Sequence, residues 1–143
     1  MFKKILATFD GSDHAEKALR VAADMAEKYG GTLEIVYVPE VPTTAIAMGA
    51  SAIEMPVRGP DFEAHNKAVL DRAEAIAADA GLSASAQTLD GSPAEAILGY
   101  ATATDADLIV AGRRGLGTLK GLVMGSVSQK LTAHAKCPIL TIQ

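Results

Sequence analysis

Three glycines and a serine in the C-terminal third of the chain have the spacing of an anion-binding loop. Gly112 ends an apolar run, Gly115 follows after two residues, and Gly125 follows after nine more, directly before Ser126. Glycine allows positive φ angles and lets an oxygen-rich ligand approach the backbone closely. A strand that runs through a glycine-rich turn into a helix directs N–H groups and the positive helix end at its ligand. The spacing Gly-x2-Gly-x9-Gly-Ser therefore predicts a phosphate site.

Two better-known phosphate motifs are absent from this sequence. A Walker A loop requires Gly-Lys-Ser or Gly-Lys-Thr, whereas Lys120 of this chain follows a leucine and precedes a glycine. The Gly-x-Gly-x-x-Gly fingerprint of dinucleotide-binding domains is not present either. The glycines therefore indicate a phosphate site of a different class.

The glycine and serine spacing resembles the ATP-binding signature of the universal stress protein family. Other segments resemble landmarks of that family and extend the resemblance over nearly the whole chain, namely KILATFDGS at 4–12, DLIVAG at 107–112 and CPILTI at 137–142. The resemblance is to the UspA-like, ATP-binding subgroup. It implies a regulatory stress-response protein that binds ATP, ADP or AMP together with Mg²⁺.

The family's nucleotide contacts can be carried over to matching positions of this chain. The matches to its ribose and phosphate contacts are Gly112, Gly115, Gly125, Ser126 and Val127. Ser128 follows in the same helix and is a further candidate. The backbone of Val38, at the tip of the second predicted strand, matches the family's contact to the adenine edge.

Asp10 ends the first predicted strand, where a carboxylate can accept hydrogen bonds from ribose or hold Mg²⁺ through water. The alternative is a cap of the first helix, but the family motif also has an aspartate here, which favours ligand contact. Arg113 and Arg114 can reach phosphates from the mouth of the crevice. A solvated positive pair is an equally good interpretation, and the same alternative applies to Lys120.

Composition limits the class of protein. The chain has 143 residues, of which 49% are hydrophobic and 21% charged, and its net charge is −4. These values predict one globular domain over 1–143 and argue against a general nucleic-acid or membrane-surface binder. The single cysteine, the lack of a signal-peptide core and the lack of a spanning apolar run predict a cytoplasmic protein without membrane insertion.

Apolar runs that alternate with amphipathic segments predict five strands and four helices. Strands are predicted at 2–9, 32–38, 83–89, 107–111 and 138–142, and helices at 13–29, 60–79, 93–103 and 126–135. This order predicts an α/β fold, an open five-stranded parallel sheet with helices on both faces. The family resemblance implies strand order 3-2-1-4-5 in a Rossmann-like, adenine nucleotide alpha hydrolase-like fold. The tips that carry Asp10 and Gly112 then flank one crevice, where ligands bind in such sheets.

Several local features accompany these elements. Residues 39–59 form an unusually long connection, which predicts a lid, a binding loop or a disordered excursion. Tyr29 is predicted on the inner face of the first helix, and Gly81 just after the end of the second. His65 is predicted as a core or edge residue of that second helix. A capping box is predicted at Ser92-Pro-Ala-Glu95.

No nucleophile and base stand at a recognisable spacing, so the sequence supports binding and does not support turnover. An ATP-binding regulatory protein is the first hypothesis. The second is slow ATP hydrolysis or autophosphorylation on Ser126 or Ser128. The third is an interaction module for another phosphate-bearing or lipophilic ligand.

The last predicted strand, Pro138 to Ile142, closes the chain at a sheet edge without a following helix. Its open edge predicts a homodimer through antiparallel pairing with a second copy, as the family resemblance also implies. A proline and a short length can instead blunt this edge and leave a monomer.

Overall fold

The computed structural model describes residues 1–116 and 124–143. The described elements alternate between strands and helices along most of the chain. In order they are β1 (Lys4–Thr8), α1 (Asp13–Tyr29), β2 (Thr32–Tyr37), β3 (Thr43–Met48), β4 (Ser51–Pro56), α2 (Pro60–Asp79), β5 (Ser85–Thr88), α3 (Pro93–Ala103), β6 (Leu108–Gly112), α4 (Ser126–His134) and β7 (Ile139–Ile142). Within the described ranges, no helix combines the length and apolar character needed to cross a bilayer.

The main sheet has five strands in the order β5-β2-β1-β6-β7, and all four pairings are parallel. Once the strands of this sheet are renumbered along the chain, the order is 3-2-1-4-5. The central strand β1 pairs Ile5 with Leu33 of β2 and with Leu108 of β6. The predicted fold class and strand order are therefore confirmed, and the strand ends differ from the predicted ones by at most two residues.

Each face of the sheet carries its own pair of helices. Alternate residues of β1, Ile5 and Ala7, pack with α1 and α2. Leu6 points to the opposite face and packs with α3 and α4. Because all three side chains are at most 1% exposed, β1 is buried on both faces, as its uninterrupted apolar sequence predicted.

Helix α1 has defined ends, and its buried residues are alanines apart from Leu19. The Ala15 N–H donates to the Ser12 Oγ at 3.3 Å, so Ser12 is the N-cap, and Gly30 ends the helix at φ 58°. The prediction for Tyr29 was wrong, because this side chain is 43% exposed. It packs edge-on against Phe2 at a ring distance of 5.9 Å, since the last turn of α1 lies beside the segment that precedes β1.

The segment from 39 to 59, predicted as a lid, a binding loop or a disordered excursion, contains two strands that the sequence did not predict. Strands β3 and β4 form an antiparallel hairpin in which Ile46 faces Ile53, and Gly49 takes φ 67° in the two-residue turn. Every residue of both strands is exposed. Whether the hairpin covers a ligand stays a prediction.

Two predicted helix boundaries have different outcomes. Gly81 follows the C-cap of α2 at φ 78°, as predicted. Ser92 is the N-cap of α3 and Pro93 its first residue, but the Ser92 side chain makes no capping hydrogen bond. The capping box with Glu95 is therefore absent, although the helix begins where the sequence predicted.

Candidate functional site

A cavity of about 560 Å³ lies above the carboxyl ends of the central strands. It is bordered by Asp10 after β1, Val38 after β2 and Gly112 at the end of β6. These tips surround the position where the strand order reverses, which is the usual ligand site of an open parallel sheet. The volume falls in the range of small-molecule pockets.

The N-terminus of α4 opens into this cavity without a capping side chain. Gly125 is the N-cap, and the first helical hydrogen bond runs from the Gln129 N–H to the Gly125 carbonyl at 3.0 Å. The N–H groups of Ser126 and Val127 precede that bond, and both residues line the cavity. Among the described residues, no hydrogen-bond partner of these two N–H groups is found, and such groups together with the positive helix end make an anion-binding position.

Two hydrogen bonds fasten the end of β6 to the start of α4. The Gly125 N–H donates to the Arg113 carbonyl at 2.8 Å. The hydroxyl of Ser128, which is 5% exposed, donates to the Gly112 carbonyl at 2.6 Å. The two ends of the segment from Gly112 to Gly125 are thus fixed side by side. Lys120 lies outside the described residues.

At Gly112 and at Gly115, an added side chain would collide with neighbouring residues. A Cβ at Gly112 would lie 2.8 Å from the Ala15 nitrogen in the first turn of α1. A Cβ at Gly115 would lie 2.5 Å from Oδ2 of Asp10. The glycines thus permit close packing of α1 on β6 and of the turn on the Asp10 carboxylate.

Asp10 lines the cavity and is not the N-cap of α1. Its Oδ1 accepts a hydrogen bond from the Ser12 N–H at 2.9 Å, and Ser12 itself caps α1. The helix-cap alternative for Asp10 was therefore wrong. One carboxylate oxygen is fixed by the backbone, and Oδ2 lies next to Gly115.

Val38 presents an unusual pair of backbone groups at the other end of the cavity. The neighbouring Val36 carbonyl accepts from Phe9 N–H at 2.9 Å, and the Tyr37 carbonyl accepts from Leu89 N–H at 2.8 Å. Within the described ranges, neither the N–H nor the carbonyl of Val38 takes part in a hydrogen bond. The residue thus offers one donor and one acceptor to a ligand.

The two arginines after β6 have different environments. Arg113 Nη1 donates to Gln143 Oε1 at 2.6 Å, near the C-terminus. Of the two, Arg114 is the one whose atoms line the cavity. Phosphate contact by Arg113 stays a prediction, and the geometry gives Arg114 the better position.

Sequence reasoning did not assign to the site several residues that lie in β2, just after β2, or in α2. They are Tyr37, Glu40, Phe62, His65 and Asn66. Burial, followed by the nearby carboxylates of Asp10 and Glu40, raises the pKa of the Tyr37 hydroxyl. His65, expected as a core or edge residue, is exposed at the cavity, and Asn66 is the buried neighbour. The spacing 62, 65, 66 places these α2 side chains on one helix face. Such spacing indicates a helix but does not indicate that its residues bind a ligand.

Comparison with known proteins identifies the family and the fold of the chain. Residues 1–143, the whole chain, match the model of the universal stress protein family. The chain belongs to this family. A universal stress protein of Thermus aquaticus is 41% identical over 148 aligned residues, which cover 100% of both chains. The resemblance noted from the sequence is thereby confirmed.

Solved universal stress protein structures share the fold. One from Archaeoglobus fulgidus is 25% identical, with a TM-score of 0.77 over 100% of both chains. Another from the same organism, in complex with dAMP, is 23% identical with a TM-score of 0.73 and covers 99% of this chain and 98% of its own. A universal stress protein in complex with cAMP is 24% identical, with a TM-score of 0.73 and coverage of 99% and 97%.

Proposed function

We propose that the protein is a cytoplasmic regulatory member of the universal stress protein family that binds ATP, or ADP or AMP, in the crevice above β1, β2 and β6. Nucleotide occupancy would change the surface presented to partner proteins. The observation that carries the proposal is the uncapped N-terminus of α4, which faces the same cavity as the unpaired backbone groups of Val38.

The phosphate end of the nucleotide belongs beside α4. Backbone N–H groups of Ser126 and Val127, with the close approach allowed at Gly115, suit phosphate oxygens. The guanidinium of Arg114 adds a positive charge at the same side of the cavity. The Ser128 hydroxyl, which donates to the Gly112 carbonyl, holds the turn in place.

The adenine end belongs beside Val38. Its free N–H and carbonyl match an acceptor and a donor on the edge of adenine. Adenine is also the group shared by cAMP and dAMP, the ligands of two structural relatives. Asp10 lines the cavity between the two ends, and its carboxylate would accept hydrogen bonds from ribose.

Mg²⁺ fits this site as a companion of the phosphates. Within the described ranges, no group of three or more His, Cys, Asp or Glu side chains can hold a metal ion. Mg²⁺ typically keeps several waters and binds through one or two carboxylates plus phosphate oxygens. Asp10 would supply such a contact through water, and the bound ion would neutralise phosphate charge near the Asp10 and Glu40 carboxylates.

Isothermal titration calorimetry with ATP and Mg²⁺ tests the proposal. We expect one molecule of ATP bound per chain, with weaker binding of GTP. The absence of detectable heat at millimolar ATP would contradict it. Native mass spectrometry of freshly purified protein adds the identity of any nucleotide that co-purifies.

Autophosphorylation is a second candidate function that one contrast between the serines favours. Ser126 is exposed and lines the cavity, whereas Ser128 is buried and its hydroxyl donates to a carbonyl. Label from γ-labelled ATP should therefore appear on Ser126 if the reaction occurs. A protein that stays unlabelled, or a Ser126→Ala variant that still takes up label, would exclude this role for Ser126.

We also propose that the protein forms a homodimer through β7. This strand is at the edge of the sheet, next to β6. The Ile109 N–H donates to the Pro138 carbonyl and the Arg113 N–H to the Ile142 carbonyl, so even-numbered residues of β7 face β6. The N–H groups of Ile139 and Thr141 consequently point away from the sheet, where a second β7 can pair with them.

Thr141→Pro is expected to convert the dimer to a monomer. The substitution removes an outward N–H donor and leaves the hydrogen bonds between β6 and β7 intact. Sedimentation at micromolar concentration measures the change in mass. Thr141→Val, which retains the N–H, is the matched control and should remain dimeric. A wild-type protein that already sediments as a monomer would contradict the proposed dimer.

A further inference from the structure

The Asn66 side chain has a buried carbonyl oxygen without a partner. The residue is 6% exposed and lines the cavity. Its Oδ1 makes no hydrogen bond to any described residue. Asn66 is also the only asparagine in the chain. Buried polar groups in native proteins are normally paired, so a buried amide oxygen without a described partner beside a cavity indicates a hydrogen bond to a ligand.

The position of Asn66 assigns it to one end of the cavity. Helix α2 packs against α1 and β5, on the side of the sheet that ends in β5 and β2. The phosphate-binding turn follows β6, on the opposite side of β1. Asn66 therefore lies at the end of the cavity that also contains Val38, away from the N-terminus of α4.

A second α2 residue strengthens this assignment. Phe62 lies one helical turn before Asn66, and both line the cavity. An aromatic ring beside a carboxamide suits a flat heterocycle, because the ring packs on its face and the amide bonds its edge. Neither group is suited to hold a phosphate chain, which requires cations or several N–H donors.

We propose that Asn66 determines base specificity by pairing with the N6–N7 edge of adenine. The inference rests on the proposed adenine nucleotide site. Oδ1 accepts a hydrogen bond from the 6-amino group, and Nδ2 donates to N7. The 6-amino group has two hydrogens, so Val38 can accept the other. Guanine presents two acceptors at this edge, which leaves Oδ1 unpaired, and adenine is preferred as a result.

A comparison of ATP with 7-deaza-ATP tests the contact to N7. In 7-deaza-ATP a C–H group replaces N7, so the hydrogen bond from Nδ2 is lost. By calorimetry, the wild-type protein should bind ATP about fivefold to tenfold more tightly than 7-deaza-ATP. Equal affinities for the two nucleotides would overturn the inference, and this comparison requires no variant to fold.

Three variants identify the group responsible. Asn66→Leu should bind ATP and 7-deaza-ATP equally and should lose much of the preference for ATP over GTP. Asn66→Asp should also bind ATP and 7-deaza-ATP with equal affinity, because a carboxylate cannot donate a hydrogen bond to N7. Lys67→Ala, the exposed neighbour on α2, is the matched control and should keep the wild-type ratio. A wild-type ratio that persists in Asn66→Leu would overturn the inference.

The ligand-free protein provides an independent readout. Leucine is close to asparagine in shape and leaves no unsatisfied oxygen, so the urea midpoint of Asn66→Leu should equal or exceed that of the wild type. A lower midpoint would contradict the inference, since it would show that the amide supports the fold. Wild-type protein that binds no ATP at all would instead refute the proposed function, so the two failures are distinguishable.

Discussion

Gly125→Val is expected to weaken ATP binding by at least about a hundredfold. Gly125 is the N-cap of α4 and lines the cavity, so branched carbons there occupy the space beside the first N–H groups of the helix. Displacement of a phosphate from both the Ser126 and the Val127 N–H costs about 1.5–3 kcal/mol for each charge-assisted hydrogen bond. Calorimetry with ATP and Mg²⁺ measures the loss.

The backbone at this position should tolerate the change. Gly125 has φ −71°, which does not require glycine, and an added Cβ would lie 3.5 Å from the Arg113 carbonyl, an ordinary contact. Valine is a poor N-cap, so a loss of about 1 kcal/mol in unfolding free energy is expected. Gly125→Ala should be intermediate in affinity. An affinity of Gly125→Val within threefold of the wild type would show that no phosphate lies here.

Gly112→Ala is expected to lower the free energy of unfolding by about 3 kcal/mol. The added Cβ would lie 2.8 Å from the Ala15 nitrogen and 2.9 Å from the His14 carbonyl carbon. Both atoms belong to the backbone of α1, so the collision cannot be relieved by rotating a side chain. The helix must move away from β6, and urea denaturation followed by circular dichroism measures the cost.

Gly99→Ala is the matched control for this prediction. Gly99 lies within α3, where an added Cβ meets nothing within 4 Å. Alanine should therefore stabilise the protein by about 0.5–1 kcal/mol through the lower flexibility of its unfolded chain. Equal stabilities of the two alanine variants would mean that the close approach of α1 to Gly112 does not constrain the fold.

The phosphate half of the candidate site could be predicted because binding by backbone N–H groups requires particular residues at fixed spacing. Close approach requires glycine at fixed offsets, and Gly112, Gly115 and Gly125 are recognisable from spacing alone. No comparable sequence pattern identifies the residues of the base half. Phe62 and Asn66 follow an ordinary helical spacing, and only the placement of α2 over β5 brings them to the cavity.

The open parallel sheet was predictable because continuous apolar strands separated by amphipathic helices permit few right-handed arrangements, whereas its strand order came from the family resemblance. The hairpin was not, although Ile46 and Ile53 alternate with small or polar neighbours on either side of a glycine turn. Three of the twelve strand residues are alanines, which are depleted in strands, and every residue of both strands is exposed. Without contacts to the core, the alternation and the glycine turn of the hairpin were too weak a pattern to predict its two strands.

The most direct measurement is an NMR titration of ¹⁵N-labelled protein with ATP and Mg²⁺. If a nucleotide spans the crevice, the amide resonances of Gly115, Ser126 and Val127 should shift together with that of Val38, and all should report one dissociation constant. Resonances of the exposed hairpin turn at Gly49 should move least. An unchanged spectrum at millimolar ATP, or shifts confined to residues outside the cavity, would contradict the nucleotide site.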